Sequence, residues 1–170
     1  MPRDPRQAIA FLLGFALAIW LSPLRVSASG VDAPDPVLAP LESALLADVN
    51  AVRTRSHKLP LRRTAELDAV ARAHSRDMAA RGYVAHDSPE GANAVVRLEA
   101  ARLSGFTLAA ENIGATSRPS PNQEIVTGWL QSKVHRTNLL APAFNATGIG
   151  IARARDGSLL YTQLYVTYPR

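Results

Sequence analysis

The run ATGIGIARARDGSLLYTQLYVTY, Ala146 to Tyr168, most constrains what this chain can fold into. Ile149 and Ile151 alternate with small residues. Asp156-Gly157-Ser158 is a turn signal, and LLYTQLYVTY is rich in β-branched and aromatic residues. The pattern reads as a β-hairpin. A hairpin alone is marginal in water, so it needs at least one more strand. FTLAAENIG, Phe106 to Gly114, is the best candidate for that strand. Most of the remaining domain reads as helix. The expected class is α+β, with helices covering both faces of a small sheet.

The helices have legible boundaries. Leu41, Leu45, Val49 and Val52 form one apolar stripe from Pro40 onward, and SHKLP ends that helix. Thr64 is placed to cap a second helix, with Glu66 and Asp68 in its favoured acidic first turn. Leu67, Val70, Ala71, His74 and Met78 share a face, and Gly82 supplies the stop. On that face His74 reads as a packed histidine with a satisfied ring, and not as a ligand. YVAHDSPEG is a loop, followed by a short helix carrying Val95, Leu98 and Leu103. Ser120-Pro121-Asn122-Gln123 matches a capping box and opens a last helix. Ile125, Trp129 and Ser132 fall on one of its faces, and it should fray near Val134, with His135 at its end.

The first residues read differently. Arg3 and Arg6 precede an uncharged apolar run, Ala8 to Leu21, and Val26-Ser27-Ala28 offers a small-residue cleavage site. Residues 1–28 therefore read as a secretory signal peptide, with an uncleaved signal anchor as the alternative. Residues 29–40 read as a Pro-rich linker, and 41–170 as the domain. Export makes the expected location secreted or periplasmic, with contact to the membrane only through an uncleaved leader. There is no cysteine, so core packing alone must hold the domain. Without residues 1–28 the chain keeps 16 basic and 13 acidic residues, a net charge of +3. Scattered basic residues and few aromatics argue against nucleic acid as a partner. The densest basic patch, RTRSHKLPLRR from Arg53 to Arg63, reads as a solvated loop between helices. A monomer is expected.

Glu111 stands alone in a small, apolar stretch, LAAENIG. An ionised carboxylate removed from water must be matched by a cation, a metal or good donors. His86 and His135 lie in or beside loops, 25 residues before and 24 after Glu111. A charged imidazole would offset about 4 kcal/mol at about 4 Å and an effective dielectric of about 20. Two neutral histidines and an acid could instead bind Zn²⁺ or a similar divalent cation. Spacing alone leaves both readings open.

AHSRDMAARGYVAHDSPEG, AENIG, GWLQSKVHRTNLLAPAFNATGIGIA and LLYTQLYV occur in this order along the chain. In that order they resemble bacterial members of the CAP superfamily. This is the SCP-domain group of cysteine-rich secretory, antigen-five and pathogenesis-related proteins. The resemblance runs from about Leu41 to Tyr168. It implies an α-β-α sandwich with a mostly antiparallel sheet, and a cleft holding two histidines and two acids. The histidines fall on His86 and His135, and the acid of the ENI motif on Glu111. The second acid of many eukaryotic members falls on Ser132, which cannot supply a second negative charge to a metal.

Three functions are compatible with these residues. One is an exported binding module whose His86, Glu111 and His135 contact a lipid, peptide or cell-envelope ligand, with no required cofactor. Another is a metal-assisted hydrolase with His86 and His135 as ligands and Glu111 activating water. Its variant uses Ser132 as nucleophile and His135 as base. The third is a structural envelope protein with a vestigial cleft. Asn112, Arg136 and Asn138 read as residues that fix the backbone around the cleft.

Overall fold

The structure is a computed structural model that describes residues 35–169. The leader and the first half of the linker lie outside the described residues. The elements run α1 (Ala39–Arg55), β1 (Arg62–Arg63), α2 (Ala65–Arg81), α3 (Ala94–Ala100), β2 (Leu108–Thr116), α4 (Pro121–Gln131), α5 (Lys133–Leu140), β3 (Ala146–Arg153) and β4 (Leu159–Thr167). Leu38, just before α1, is already buried in the core.

The predicted hairpin is β3 and β4, paired antiparallel from Ala146↔Val166 to Arg153↔Leu159. The predicted third strand is β2, antiparallel to β4 with Glu111 opposite Leu164. Two residues of β1 add a short parallel pair to β3, and the sheet order is β1-β3-β4-β2. Tyr161 and Tyr165 of β4 join Ile149 and Ile151 of β3 in one core with α1, α4 and α5. Leu164 and Val166 pack on the other face with α2 and α3. β4 is therefore buried at eight of its nine positions, because both its faces are covered. The fold is the expected α+β sandwich.

The TGIGIA run sets the distance between layers. A Cβ on Gly148 would lie 2.1 Å from the Leu67 carbonyl carbon, and one on Gly150 would lie 2.2 Å from the Arg72 nitrogen. The two glycines thus let the α2 backbone sit directly on β3. Ser75 Oγ completes the contact, donating to Gly150 O at 2.9 Å, and approaches Thr162 Oγ1 at 2.8 Å. Thr64 caps α2 by accepting from the Leu67 amide at 3.3 Å, and Gly82 ends it in the left-handed region at φ 71°.

Three sequence expectations need correction. The basic stretch is not a solvated loop. Arg53 is fully buried and donates to the carbonyls of Leu59, Leu139, Ala141 and Phe144 at 2.7–3.2 Å. Leu61 is also buried, and β1 lies within the stretch. Arg63 bridges Glu42 at 2.6 Å and Asp68 at 2.8 Å. The helix that should fray near Val134 instead breaks at Ser132, whose ψ of 124° is extended, and a separate α5 follows. Ser120 makes no side-chain cap bond, so the capping box is not formed. Glu124 is held by Thr116 and Arg118 instead, while Pro121 still starts the helix.

Gly150→Ala should destabilise the protein by about 3 kcal/mol or more, since backbone on the facing helix cannot yield cheaply. Gly128→Ala, at an exposed position of α4 with open space around it, should stabilise by about 0.5–1 kcal/mol. Denaturant midpoints of the two variants check the contrast.

Candidate functional site

β2 is an edge strand, and consecutive residues on it point to opposite faces. Glu111 turns toward the side of α2 and α3, where the 83–91 loop also passes. Asn112 turns toward α5. The two sides of the site are built from this one alternation.

The Glu111 side chain is only 3% exposed. Arg97, on α3, donates from Nη2 to Glu111 Oε2 at 2.6 Å. His86 Nδ1 lies 3.0 Å from Glu111 Oε1. A carboxylate oxygen accepts, so this nitrogen carries the proton and Nε2 faces outward from a side chain that is half exposed. Arg97 Nη1 also donates to the His86 carbonyl at 2.9 Å and the Ala92 carbonyl at 2.6 Å. One guanidinium thus fixes the carboxylate and the loop carrying the histidine. Its Nε is buried without a partner among the described residues.

Arg97 is absent from the sequence candidates. On a short amphipathic helix it reads as a solvated charge. The usable signal is Glu111 itself, a lone acid needing a cation.

His74 is closer to this centre than its helix face suggested. It is buried, 3.9 Å from Glu111 Oε1. Its Nε2 lies 3.0 Å from the Ala85 carbonyl, which can only accept, so Nε2 carries the proton. Nδ1 is left buried without a partner among the described residues. The ring is packed as expected but only half satisfied.

On the other side, Asn112 Nδ2 donates to the His135 carbonyl at 3.0 Å and to Tyr165 Oη at 3.1 Å. Asn138 Nδ2 donates to Asn112 Oδ1 at 3.0 Å and to the Glu111 carbonyl at 3.2 Å. These asparagines are the backbone-fixing groups that the sequence suggested. Arg136 is not, since its side chain is exposed and makes no hydrogen bond among the described residues. The anchored helix brings the His135 ring to 6.3 Å from that of His86, centroid to centroid, at 50°. His86, Glu111 and His135 therefore converge at the sheet edge. Ser132 sits at the junction of α4 and α5, and its hydroxyl has no hydrogen-bond partner among the described residues.

The histidines divide by environment. The Glu111 hydrogen bond raises His86 above its ordinary 6.5. Burial lowers His135, and the neighbouring His86 charge lowers it further. Burial also lowers His74, against the pull of Glu111. His86 therefore adds stability below about pH 6.5, and this fades as pH rises through its raised value. His135 and His74 add stability above about pH 6.5, and this is lost as pH falls through their lowered values. Near neutrality the site presents one imidazole biased toward the cation beside one biased toward neutral.

The model of the Cysteine-rich secretory protein family, CAP, matches residues 46–167. The chain belongs to the CAP family. It does so without any cysteine. It is 34% identical over 134 residues to the Bacillus subtilis (strain 168) protein described as "Uncharacterized protein YkwD". That match covers 79% of this chain and 49% of the relative, so the chain spans about half the length of that curated protein. An extracellular SCP-domain protein from Bacillus anthracis superposes with a TM-score of 0.65 at 33% identity, over 74% of this chain and 40% of that one. An outer surface protein from Borrelia burgdorferi gives 0.71 at 16% identity, over 78% and 96%, and shows the shared fold alone.

In a proton NMR titration the His86 ring should titrate above pH 6.5, and His74 and His135 below it. Glu111→Gln should bring His86 down to about 6.5 or lower. An unmoved His86 would show that the 3.0 Å contact does not carry its shift.

Proposed function

We propose that this CAP domain acts outside the cytoplasm as a binding module. In this reading the His86–Glu111–His135 edge receives a lipid, peptide or other cell-envelope ligand. The carrying observation is that both Glu111 oxygens are already engaged, one by Arg97 and one by His86. A general base must be free to take a proton from water or a nucleophile. A buried carboxylate held at 2.6 Å by a guanidinium is poorly placed to do so. Its role here is to orient His86 and to bias that ring toward its charged form. The exposed edges of the two imidazoles are left as the surface for a ligand.

The same geometry weighs against metal-assisted hydrolysis. His86 and His135 offer two nitrogens to a divalent cation. Glu111 could join them only by setting the cation against the Arg97 guanidinium, and Ser132 adds no charge. Among the described residues, no group of three His, Cys, Asp or Glu side chains is placed to hold a metal ion. Two imidazole nitrogens and a serine hydroxyl are a poor donor set for a tightly held metal. The Ser132 variant lacks a base hydrogen-bonded to its hydroxyl.

Location outside the cytoplasm is supported by the apolar leader with its small-residue cleavage site. The extracellular and outer-surface descriptions of two structural relatives point the same way. Among the described residues no helix is long and apolar enough to cross a membrane.

The full chain should cosediment with isolated bacterial envelopes, and His86→Ala/His135→Ala should abolish this while leaving the fold intact by circular dichroism. Casein should not be cleaved above background, with or without added Zn²⁺. Cleavage that needs Glu111 would replace the binding reading with a hydrolytic one.

A further inference from the structure

A second concave surface lies away from the histidines. It is a groove of about 600 Å³ between the C-terminal half of α2 and the end of β3. Its basic lining is Arg72, Arg76, Arg153 and Arg155, and its acidic lining residue is Asp35. Two periodicities bring the four arginines together. Arg72 and Arg76 are one helical turn apart, on the same face as Ala79 and Ala80. Arg153 and Arg155 are two residues apart where β3 enters its turn. His74 lies about 200° around α2 from Arg72 on the helical wheel, so the histidine site and this groove use different faces of one helix.

The arginines have different states. Arg72 is committed to Glu42, at 2.6 Å, and forms the back of the groove. Arg153 is exposed, and its Nη1 donates to the Gly157 carbonyl of its own hairpin at 3.1 Å, which restrains it while leaving its other donors. Arg155 is exposed and has no hydrogen bond or ion pair among the described residues. With Arg72 matched by Glu42, the positive charge that the groove presents to solvent comes chiefly from Arg153 and Arg155 at its mouth. Ala79 and Ala80 on its wall leave the space open, and the core residues Leu38 and Ile151 close its floor.

We propose that this groove binds the phosphate group of a small phosphate ester. Guanidinium is planar, always charged, and matches phosphate oxygens in pairs, which a lysine does not. A concave wall with an excess of one charge also focuses its field on a ligand inside it. The volume exceeds what a bare phosphate needs and leaves room for the group esterified to it. Both a soluble phosphate ester and a phospholipid headgroup have this chemistry.

The full chain is titrated at low ionic strength with inorganic phosphate and with glycerol 3-phosphate. In parallel it is mixed with phosphatidylcholine vesicles with and without phosphatidylglycerol. Arg153→Gln/Arg155→Gln should weaken binding about tenfold or more, whereas Arg55→Gln/Arg102→Gln, which removes the same charge elsewhere, should leave it unchanged. Circular dichroism checks that both exposed pairs stay folded. Groove-dependent binding of glycerol 3-phosphate assigns a soluble ester. Groove-dependent binding only to phosphatidylglycerol vesicles assigns a lipid headgroup. Equal weakening by the two pairs, or no saturable binding of any probe, overturns the proposal. Arg153 and Arg155 line this groove and not the histidine edge, so a loss confined to that pair is read apart from the envelope-binding reading.

Discussion

The pairing of Glu111 with Arg97 is the contact on which the functional edge of this molecule depends. A carboxylate this buried is tolerable only with a cation and further donors around it. The cation comes from α3, and the same guanidinium holds the carbonyls of His86 and Ala92. The Glu111 backbone carbonyl accepts from Asn138 on α5. One strand residue therefore ties together a short helix, the histidine loop and the last helix. The cost of burying its charge is offset by the order it imposes on three segments with little core of their own.

The opposite edge of the sheet follows the same logic. β1 covers only Ala146 and Thr147 of β3. Beyond it, Asp68 accepts from the Ile149 amide at 2.8 Å and Glu42 from the Ile151 amide at 3.3 Å. Arg63 and Arg72 hold both carboxylates in place. Carboxylates thus stand in for the missing strand, which closes an edge that could otherwise pair with another chain. The close seating of α2 through Gly148 and Gly150 brings Asp68 and Arg72 within reach of that edge. Each end of the sheet is finished by acid and arginine, with no disulfide anywhere in the chain.

The parts of the fold written locally were legible. Thr64 and Gly82 bound α2 because caps depend on adjacent backbone. The alternation and turn residues of the terminal hairpin gave β3 and β4, and LAAENIG gave β2. The family motifs carried His86, Glu111 and His135 to one place. What stayed hidden involves partners far apart in the chain. Arg53 reads as part of a basic loop until carbonyls some 86–91 residues away are brought to it. Glu42 lies on the edge of an apolar stripe and gives no hint that Arg72, 30 residues on, will meet it. Ser120 has the right neighbours for a capping box, yet its φ of −110° and ψ of 68° accompany a cap with no side-chain bond. Arg97 is the most consequential omission, because helical charges are usually solvated and this one is not.

The most direct test is a double-mutant cycle on Arg97→Met and Glu111→Leu, read by denaturant unfolding at neutral pH. Each single variant leaves an unmatched buried charge and should cost about 3–5 kcal/mol. The double variant should be much less destabilised than the sum, with a coupling of about 2 kcal/mol or more. Additive losses would mean that Glu111 does not depend on Arg97. The carboxylate would then be available as a base, and the account of this edge as a binding surface would fail.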